Sequence, residues 1–101
     1  MVKVERLGKF NEQLRELSIA SLELNKLAEK RILVFIKNPN DTRLNNHPLT
    51  KKMEGQWAFS ITDDVRIVYE WLSTTTVRFR EIGPHSKVYA RKRVKQQFPK
   101  K

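Results

Sequence analysis

The sequence contains no cysteine, and this absence removes several kinds of chemistry at once. Disulfide bonds, a thiolate nucleophile and a cysteine-ligated zinc are all excluded. Long apolar runs are missing as well, because the longest covers only residues 32–36, whereas about 20 residues are needed to span a bilayer. No apolar signal-peptide core follows the N-terminal lysine. We therefore expect a cytoplasmic protein without a membrane partner.

Acidic residues are absent from the last part of the chain. Residues 1–84 carry 14 basic and 11 acidic side chains, whereas residues 85–101 carry seven basic ones and no acidic one. The whole chain has a net charge of +10 and a pI of about 10.2. This imbalance favours a polyanionic partner, with nucleic acid ahead of a membrane surface. With 101 residues, the chain is expected to form one domain with a basic tail at 90–101.

Hydrophobic periodicity predicts a strand and two helices in the first part of the chain. Residues 1–6 alternate valine with charged residues, which is typical of a short strand. Apolar residues at helical spacing predict a first helix over residues 9–17. A second, longer helix is predicted to begin after Ser18 or Ser21, either of which could cap it, and to end at Asn38-Pro39. We expect these helices to pair as an antiparallel hairpin.

The remainder predicts an irregular loop followed by an antiparallel β-meander. Residues 39–52 hold two prolines and three asparagines, which favour a loop. Residues 56–61, 65–72 and 77–82 are rich in aromatic and β-branched side chains and are separated by turn-like residues. The alternating apolar side chains of these strands, which include Trp57 and Trp71, should face the helices. The predicted fold is α+β: a short N-terminal strand, a helical hairpin and a β-meander, forming a sandwich with one open, basic sheet face.

The two histidines are the candidates for catalysis. His47 lies in the loop before the meander, and His85 follows a Gly-Pro pair after its last strand. An imidazole has an unperturbed pKa of about 6.5, so it can act as a base or an acid near neutral pH. Two imidazoles and an arginine suffice for metal-free RNA cleavage, although histidines in a basic protein are often plain surface residues. No ligand pair has the spacing of a metal site, so neither a metal nor another cofactor is expected.

Three motifs in this order resemble the RelE/ParE superfamily of bacterial toxins. They are HPL at 47–49, DVRIVY at 64–69 and GPHSKVY at 83–89. The resemblance is closest to the YafQ-like messenger-RNA interferases and extends to the YoeB-like ones. It implies a RelE-like fold and catalytic roles for five residues: His47, Asp64, Arg66, His85 and Tyr89. The chain departs from the YafQ-like pattern in two places, since Ser60 replaces a histidine and Val65 replaces a tryptophan.

The resemblance also implies a function and partners. It points to the toxin of a type II toxin–antitoxin system, a metal-independent endoribonuclease that cleaves messenger RNA on the ribosome and is silenced by a cognate antitoxin. Basic and polar residues on the sheet face, in the loops and in the tail would bind RNA: Lys51, Lys52, Ser60, Arg78, Arg80, Lys87, Arg91, Lys92 and Arg93.

Two other functions are compatible with the sequence. A ParE-like protein shares the fold but inhibits DNA gyrase by binding and cleaves no nucleic acid. A non-catalytic RNA-binding module would account for the charge alone. The pair His47 and His85 discriminates between these interpretations, because a protein that only binds has no need of two titrating imidazoles.

Overall fold

The computed structural model describes residues 1–84 and confirms the predicted α+β fold. Its elements in chain order are β1 (Lys3–Arg6), α1 (Gly8–Ala20), α2 (Leu22–Lys37), β2 (His47–Pro48), β3 (Trp57–Ser60), β4 (Val65–Trp71) and β5 (Thr76–Pro84). Short 3-10 turns, Thr42–Leu44 and Lys51–Met53, flank β2. Within residues 1–84, no helix is both long and apolar enough to cross a membrane.

The strands form one sheet in the order β1-β5-β4-β3-β2. Strands β2 to β5 are antiparallel, as the meander predicted, whereas β1 pairs parallel to β5. The chain between β1 and β5, which includes both helices and strands β2 to β4, is more than long enough for the connection that a parallel pair requires. The sequence did not predict β2, which lies inside the expected loop at 39–52. Its two residues are too few to show a period, so only pairing with β3 defines the strand.

The two serines at the helical turn have different roles. Ser21 caps α2, because its Oγ accepts a hydrogen bond from the Leu24 amide at 3.2 Å. Ser18 instead donates from its hydroxyl to the Leu14 carbonyl at 2.7 Å and so lies within α1, which extends three residues beyond the predicted end. Helix α2 ends at Lys37 with Asn38 as its C-cap, as predicted.

The core lies between the helices and the inner face of the sheet, and aromatic rings fill it. Phe35 of α2 stacks on Phe59 of β3, with ring centroids 4.6 Å apart and planes 13° from parallel. The same ring meets Tyr69 and Phe79 edge-on at 4.9 and 5.8 Å. All four side chains are fully buried. Partly buried tryptophans pack at the edge of this cluster, which confirms their assignment to the core: Trp57 and Trp71.

The outer face of the sheet is covered in one part and accessible in another. Leu49 and Met53, from the segment after β2, pack on Ala58 and Val68, both of which are fully buried. Elsewhere on this face the alternation of β3, β4 and β5 places partly exposed polar side chains, as predicted: Ser60, Arg66, Arg78 and Arg80. The accessible polar surface therefore crosses β5, β4 and β3, and β3 pairs with β2, where His47 lies.

Candidate nucleic-acid site

Strand register brings His47 and Arg66 to the same part of the outer face. His47 lies directly opposite Ala58 on β3. Ser60 is two residues further along β3 and lies opposite Arg66 on β4. Residues opposite one another in an antiparallel pair share a face, and diagonal neighbours such as His47 and Ser60 are about 7–8 Å apart. Two motifs that are separate in the sequence therefore meet on one surface.

The His47 ring has a defined hydrogen-bond partner. Its Nδ1 lies 2.8 Å from the carbonyl oxygen of Asn45. A carbonyl only accepts hydrogen bonds, so Nδ1 carries the proton and donates it. In the neutral ring Nε2 is then unprotonated and able to accept a proton from a substrate. Asn45 adopts a left-handed conformation with φ 51°, which asparagine tolerates better than most residues, and thereby directs its carbonyl toward the ring.

A partly buried chain of hydrogen bonds connects the His47 loop to the sheet. The Tyr69 hydroxyl donates to Asn46 Oδ1 at 2.7 Å, and Asn46 Nδ2 donates to the Pro39 carbonyl at 3.0 Å. Burial raises the pKa of Tyr69 to about 12, so its hydroxyl stays protonated and keeps donating throughout the neutral range. Asn46 precedes His47 directly, and the chain therefore fixes the backbone from which the imidazole projects.

The Arg66 guanidinium is held by neutral groups. Its Nη1 donates to Ser60 Oγ at 2.5 Å and to the Thr62 carbonyl at 3.2 Å. In the described part of the chain, no carboxylate pairs with Arg66. A guanidinium has five N–H donors, so most of them stay available for an anion. Ser60, where the YafQ-like pattern has histidine, thus positions Arg66.

A polar cleft of about 220 Å³ adjoins Arg66. Its lining comes from α2, the 3-10 turn Thr42–Leu44 with its cap, and the β3–β4 turn: Arg31, Arg43, Asn45, Ser60, Ile61, Thr62, Asp63 and Arg66. The carboxylate of Asp63 therefore lines the cleft, while its neighbour Asp64, the position that the resemblance marks as catalytic, is exposed on the turn. The turn itself is held by Thr62 Oγ1, which accepts from the amides of Asp64 and Val65.

Two arginines predicted to bind RNA are paired with carboxylates. Arg80 Nη1 lies 2.8 Å from Glu70 Oε2, and Arg78 lies 3.6 Å from the same oxygen and 3.5 Å from Glu5. Glu70 faces Arg78 across β4 and β5, a pairing that becomes visible only with the strand register. The net positive field at this end of the sheet is correspondingly smaller than the arginine count implies.

The other predicted residues fall in two groups. Lys51 and Lys52 are exposed in the 3-10 turn Lys51–Met53, after β2. The remaining predicted site residues lie outside the described residues: His85, Lys87, Tyr89, Arg91, Lys92 and Arg93. Strand β5 ends at Pro84, one residue beyond Gly83, which lies opposite Arg66. The last described residue, Pro84, is therefore next to the cross-strand pair that contains Arg66.

Sequence reasoning missed the residues that support the site. Arg31 and Arg43 belong to no motif and were interpreted only as parts of a helix and a loop. Tyr69 was interpreted only as part of the apolar face of the sheet. A weak signal exists for Asn45 and Asn46, since consecutive asparagines favour turns with positive φ. Within residues 1–84, no group of three His, Cys, Asp or Glu side chains is placed to hold a metal ion.

No protein-family model and no curated protein sequence matches the chain. Solved structures do match its fold. A copper-bound mutant toxin from Helicobacter pylori is 22% identical, with a TM-score of 0.73 and coverage of 88% of this chain and 100% of that one. YafQ from E. coli is 19% identical, with a TM-score of 0.72 and coverage of 88% and 99%. A YoeB/ParE toxin from Agrobacterium tumefaciens is 18% identical, with a TM-score of 0.71 and coverage of 83% and 99%. The chain thus has the fold of these toxin structures, as its motifs predicted.

Proposed function

We propose that this chain is the toxin of a type II toxin–antitoxin system and that it cleaves messenger RNA on the ribosome. The observation that supports cleavage best is the pairing of His47 with Arg66 on one surface. The Nδ1 proton of His47 is donated in a hydrogen bond, so Nε2 is able to accept a proton. Arg66 keeps a positive charge that no described carboxylate neutralises. The likeness to solved toxins supports the toxin part of the proposal.

The chemistry assigned to the site is internal attack by a ribose hydroxyl. His47 Nε2 accepts the proton of the 2′-OH, and O2′ forms a bond to phosphorus. Arg66 stabilises the charge that develops on the phosphorane oxygens. The bond from phosphorus to O5′ then breaks, and His85 protonates the departing oxygen. The products are a 2′,3′-cyclic phosphate and a 5′-hydroxyl.

The other assigned residues complete the proposal. Asp64 on the exposed turn and Tyr89 beyond the described residues have the catalytic positions that the motif resemblance implies. We assign RNA binding to the exposed cations next to the site, Lys51 and Lys52, with the tail residues Lys87 and 91–93 extending the basic surface. The mechanism uses only side chains of this chain, so neither a metal nor another cofactor is part of it. Messenger RNA and ribosomes place this activity in the cytoplasm.

The experiment compares the wild-type protein with His47→Gln and His85→Gln in excess chelator. Glutamine cannot take up a proton, yet it retains a polar side chain of similar reach, and circular dichroism checks the fold of each variant. Each variant should lose roughly 10²–10⁴-fold in cleavage rate, the usual contribution of one general acid or base. Wild-type fragments should carry a 5′-hydroxyl.

Three results would overturn part or all of this assignment. A 5′-phosphate product would mean that an activated water attacked the phosphorus, and it would refute the acid–base mechanism of the two histidines. Equal growth arrest by the wild type and both variants, with cellular RNA intact, would identify a gyrase-binding protein of the ParE kind. Tight RNA binding without cleavage by the wild type would indicate a binding module.

The antitoxin is proposed to bind along α2. A groove of about 650 Å³ lies on this helix, lined by Ser21, Glu23, Leu24, Lys26, Leu27 and Lys30. Leucines form its apolar part and two lysines flank them, so it suits an acidic amphipathic segment. E. coli YafQ, 21% identical to this chain with a TM-score of 0.69, has been solved in complex with DinJ, which supports a protein partner here.

A further inference from the structure

The arginines near the site differ in whether a carboxylate compensates their charge. Arg78 and Arg80 share Glu70. Arg43 donates from Nε and Nη2 to both oxygens of Asp41, at 2.9 and 2.7 Å. Among residues 1–84, Arg31 and Arg66 donate hydrogen bonds only to neutral groups, and Asp41, whose pKa the charge of Arg31 helps to lower, is already paired with Arg43. The uncompensated positive charge is therefore concentrated where Arg31 and Arg66 line the same polar cleft.

Arg31 is positioned for an anion. It is half-buried on α2, and its Nη1 donates to the Arg43 carbonyl at 2.9 Å. This bond immobilises the side chain, and the other guanidinium donors have no hydrogen-bond partner within the described part of the chain. An ordered guanidinium with free N–H groups suits bidentate binding of a phosphate.

The cleft continues beyond Arg31. A smaller depression of about 130 Å³ is lined by Leu27, Lys30, Arg31, Val34 and Arg43, so the two share Arg31 and Arg43. Three arginines line the cleft, of which Arg43 is paired with Asp41, so that Arg31 and Arg66 stand against the one acidic lining residue, Asp63, which is exposed on its turn. A continuous path of positive charge thus leads from Arg66 across Arg31 to Lys30.

We propose that Arg31 binds a phosphate of the RNA strand next to the scissile one, so that the strand runs from the His47 and Arg66 site through this cleft toward α2. This inference rests on the proposed function, because it states where the substrate of that site continues. A single strand fits the geometry, since the cleft has a volume of only about 220 Å³ and is bounded by the β3–β4 turn.

The test measures binding of a short 2′-O-methyl RNA, which lacks the attacking hydroxyl and cannot be cleaved. Affinity is determined at a series of salt concentrations for the wild type, Arg31→Gln, Arg31→Lys and Arg15→Gln. Arg15 is exposed on α1 and does not line the cleft, so its variant removes the same charge elsewhere. Thermal melting verifies that each variant folds.

Arg31→Gln should bind roughly tenfold more weakly at low salt, as expected when one charged hydrogen-bonded contact is lost. The slope of log K against log salt should fall in magnitude by about 0.7, the value for one phosphate on a single strand. Arg31→Lys should keep the slope, because lysine retains the positive charge. It should lose part of the affinity, because lysine cannot donate the two parallel hydrogen bonds of a guanidinium. Arg15→Gln should keep the wild-type slope.

An unchanged slope for Arg31→Gln would refute the phosphate site, whatever the cleavage assay shows. The two proposals can therefore fail separately. A reduced slope together with a wild-type protein that never cleaves RNA would keep the site and refute catalysis. Failure of the wild type to bind the RNA at all would refute both.

Discussion

The buried Tyr69 hydroxyl holds the loop that contains Asn46. Its protonation therefore affects the stability of the folded protein. In the unfolded chain its pKa is about 10, and burial raises the pKa to about 12 in the folded protein. Below pH 10 both states are protonated, so Tyr69 adds no pH dependence. Between pH 10 and 12 the unfolded chain ionises and the folded one does not, so the free energy of unfolding falls by about 1.4 kcal/mol per pH unit.

We expect the Tyr69→Phe variant to lack this component of alkaline destabilisation. Urea unfolding of both proteins from pH 8 to 12 measures it, and comparing the two curves removes the titration of groups that they share. At pH 8 the variant should be less stable by about 1–3 kcal/mol, because Asn46 Oδ1 loses its donor. Parallel decline of the two curves above pH 10 would contradict the pKa assignment.

At the scale of elements, one residue connects the two helices of the hairpin. Ser21 donates the last hydrogen bond of α1, from its amide to the Leu17 carbonyl at 2.8 Å, and caps α2 with its side chain. We expect Ser21→Ala to lower the free energy of unfolding by about 1 kcal/mol, since the Leu24 amide loses its acceptor. Chemical denaturation measures the change.

Ser21→Asp is the matched control, because aspartate caps helices as well as serine does. It should remain within about 0.5 kcal/mol of the wild type, the range typical of neutral surface substitutions. Equal losses for alanine and aspartate would show that packing of the serine, and not its cap, stabilises the hairpin.

For the whole molecule, the net charge of +10 predicts fast, salt-sensitive association with the acidic antitoxin that we propose. Reversing Lys26 and Lys30 to glutamate should slow association by roughly tenfold at low salt and affect dissociation less, because charges at a rim act mainly on encounter. Stopped-flow mixing over a range of ionic strengths measures this. Reversal of Arg91, Lys92 and Arg93 should act in the same direction.

Reversal of Lys3 and Arg15, two exposed cations that do not line the groove, is the control with the same change in net charge. It should slow association less than reversal in the groove. If the two pairs slowed association equally, the net charge and not the α2 groove would govern encounter. If association were as fast at high salt as at low salt, the basic surface would not be the landing site.

The sequence by itself determined the helices, the meander and the aromatic inner face. These follow from apolar periods of 3.6 and 2, which are set by neighbouring residues and survive in almost any context. The cap at Ser21 and the helix end at Asn38 are equally local. The motifs HPL and DVRIVY placed His47 and Arg66 in the candidate site before any contact was known, and the sheet register then brought them together.

Tertiary structure alone decided which of the predicted groups are free to act. Glu70 pairs with the arginines of β5, and Tyr69 reaches Asn46 across 23 positions of the chain. The parallel pairing of β1, the two-residue strand β2 and the cleft that joins Arg31 to Arg66 also depend on residues distant in sequence. Charge composition cannot reveal which cations are neutralised, because Coulomb interactions at a few ångströms depend on distance and burial.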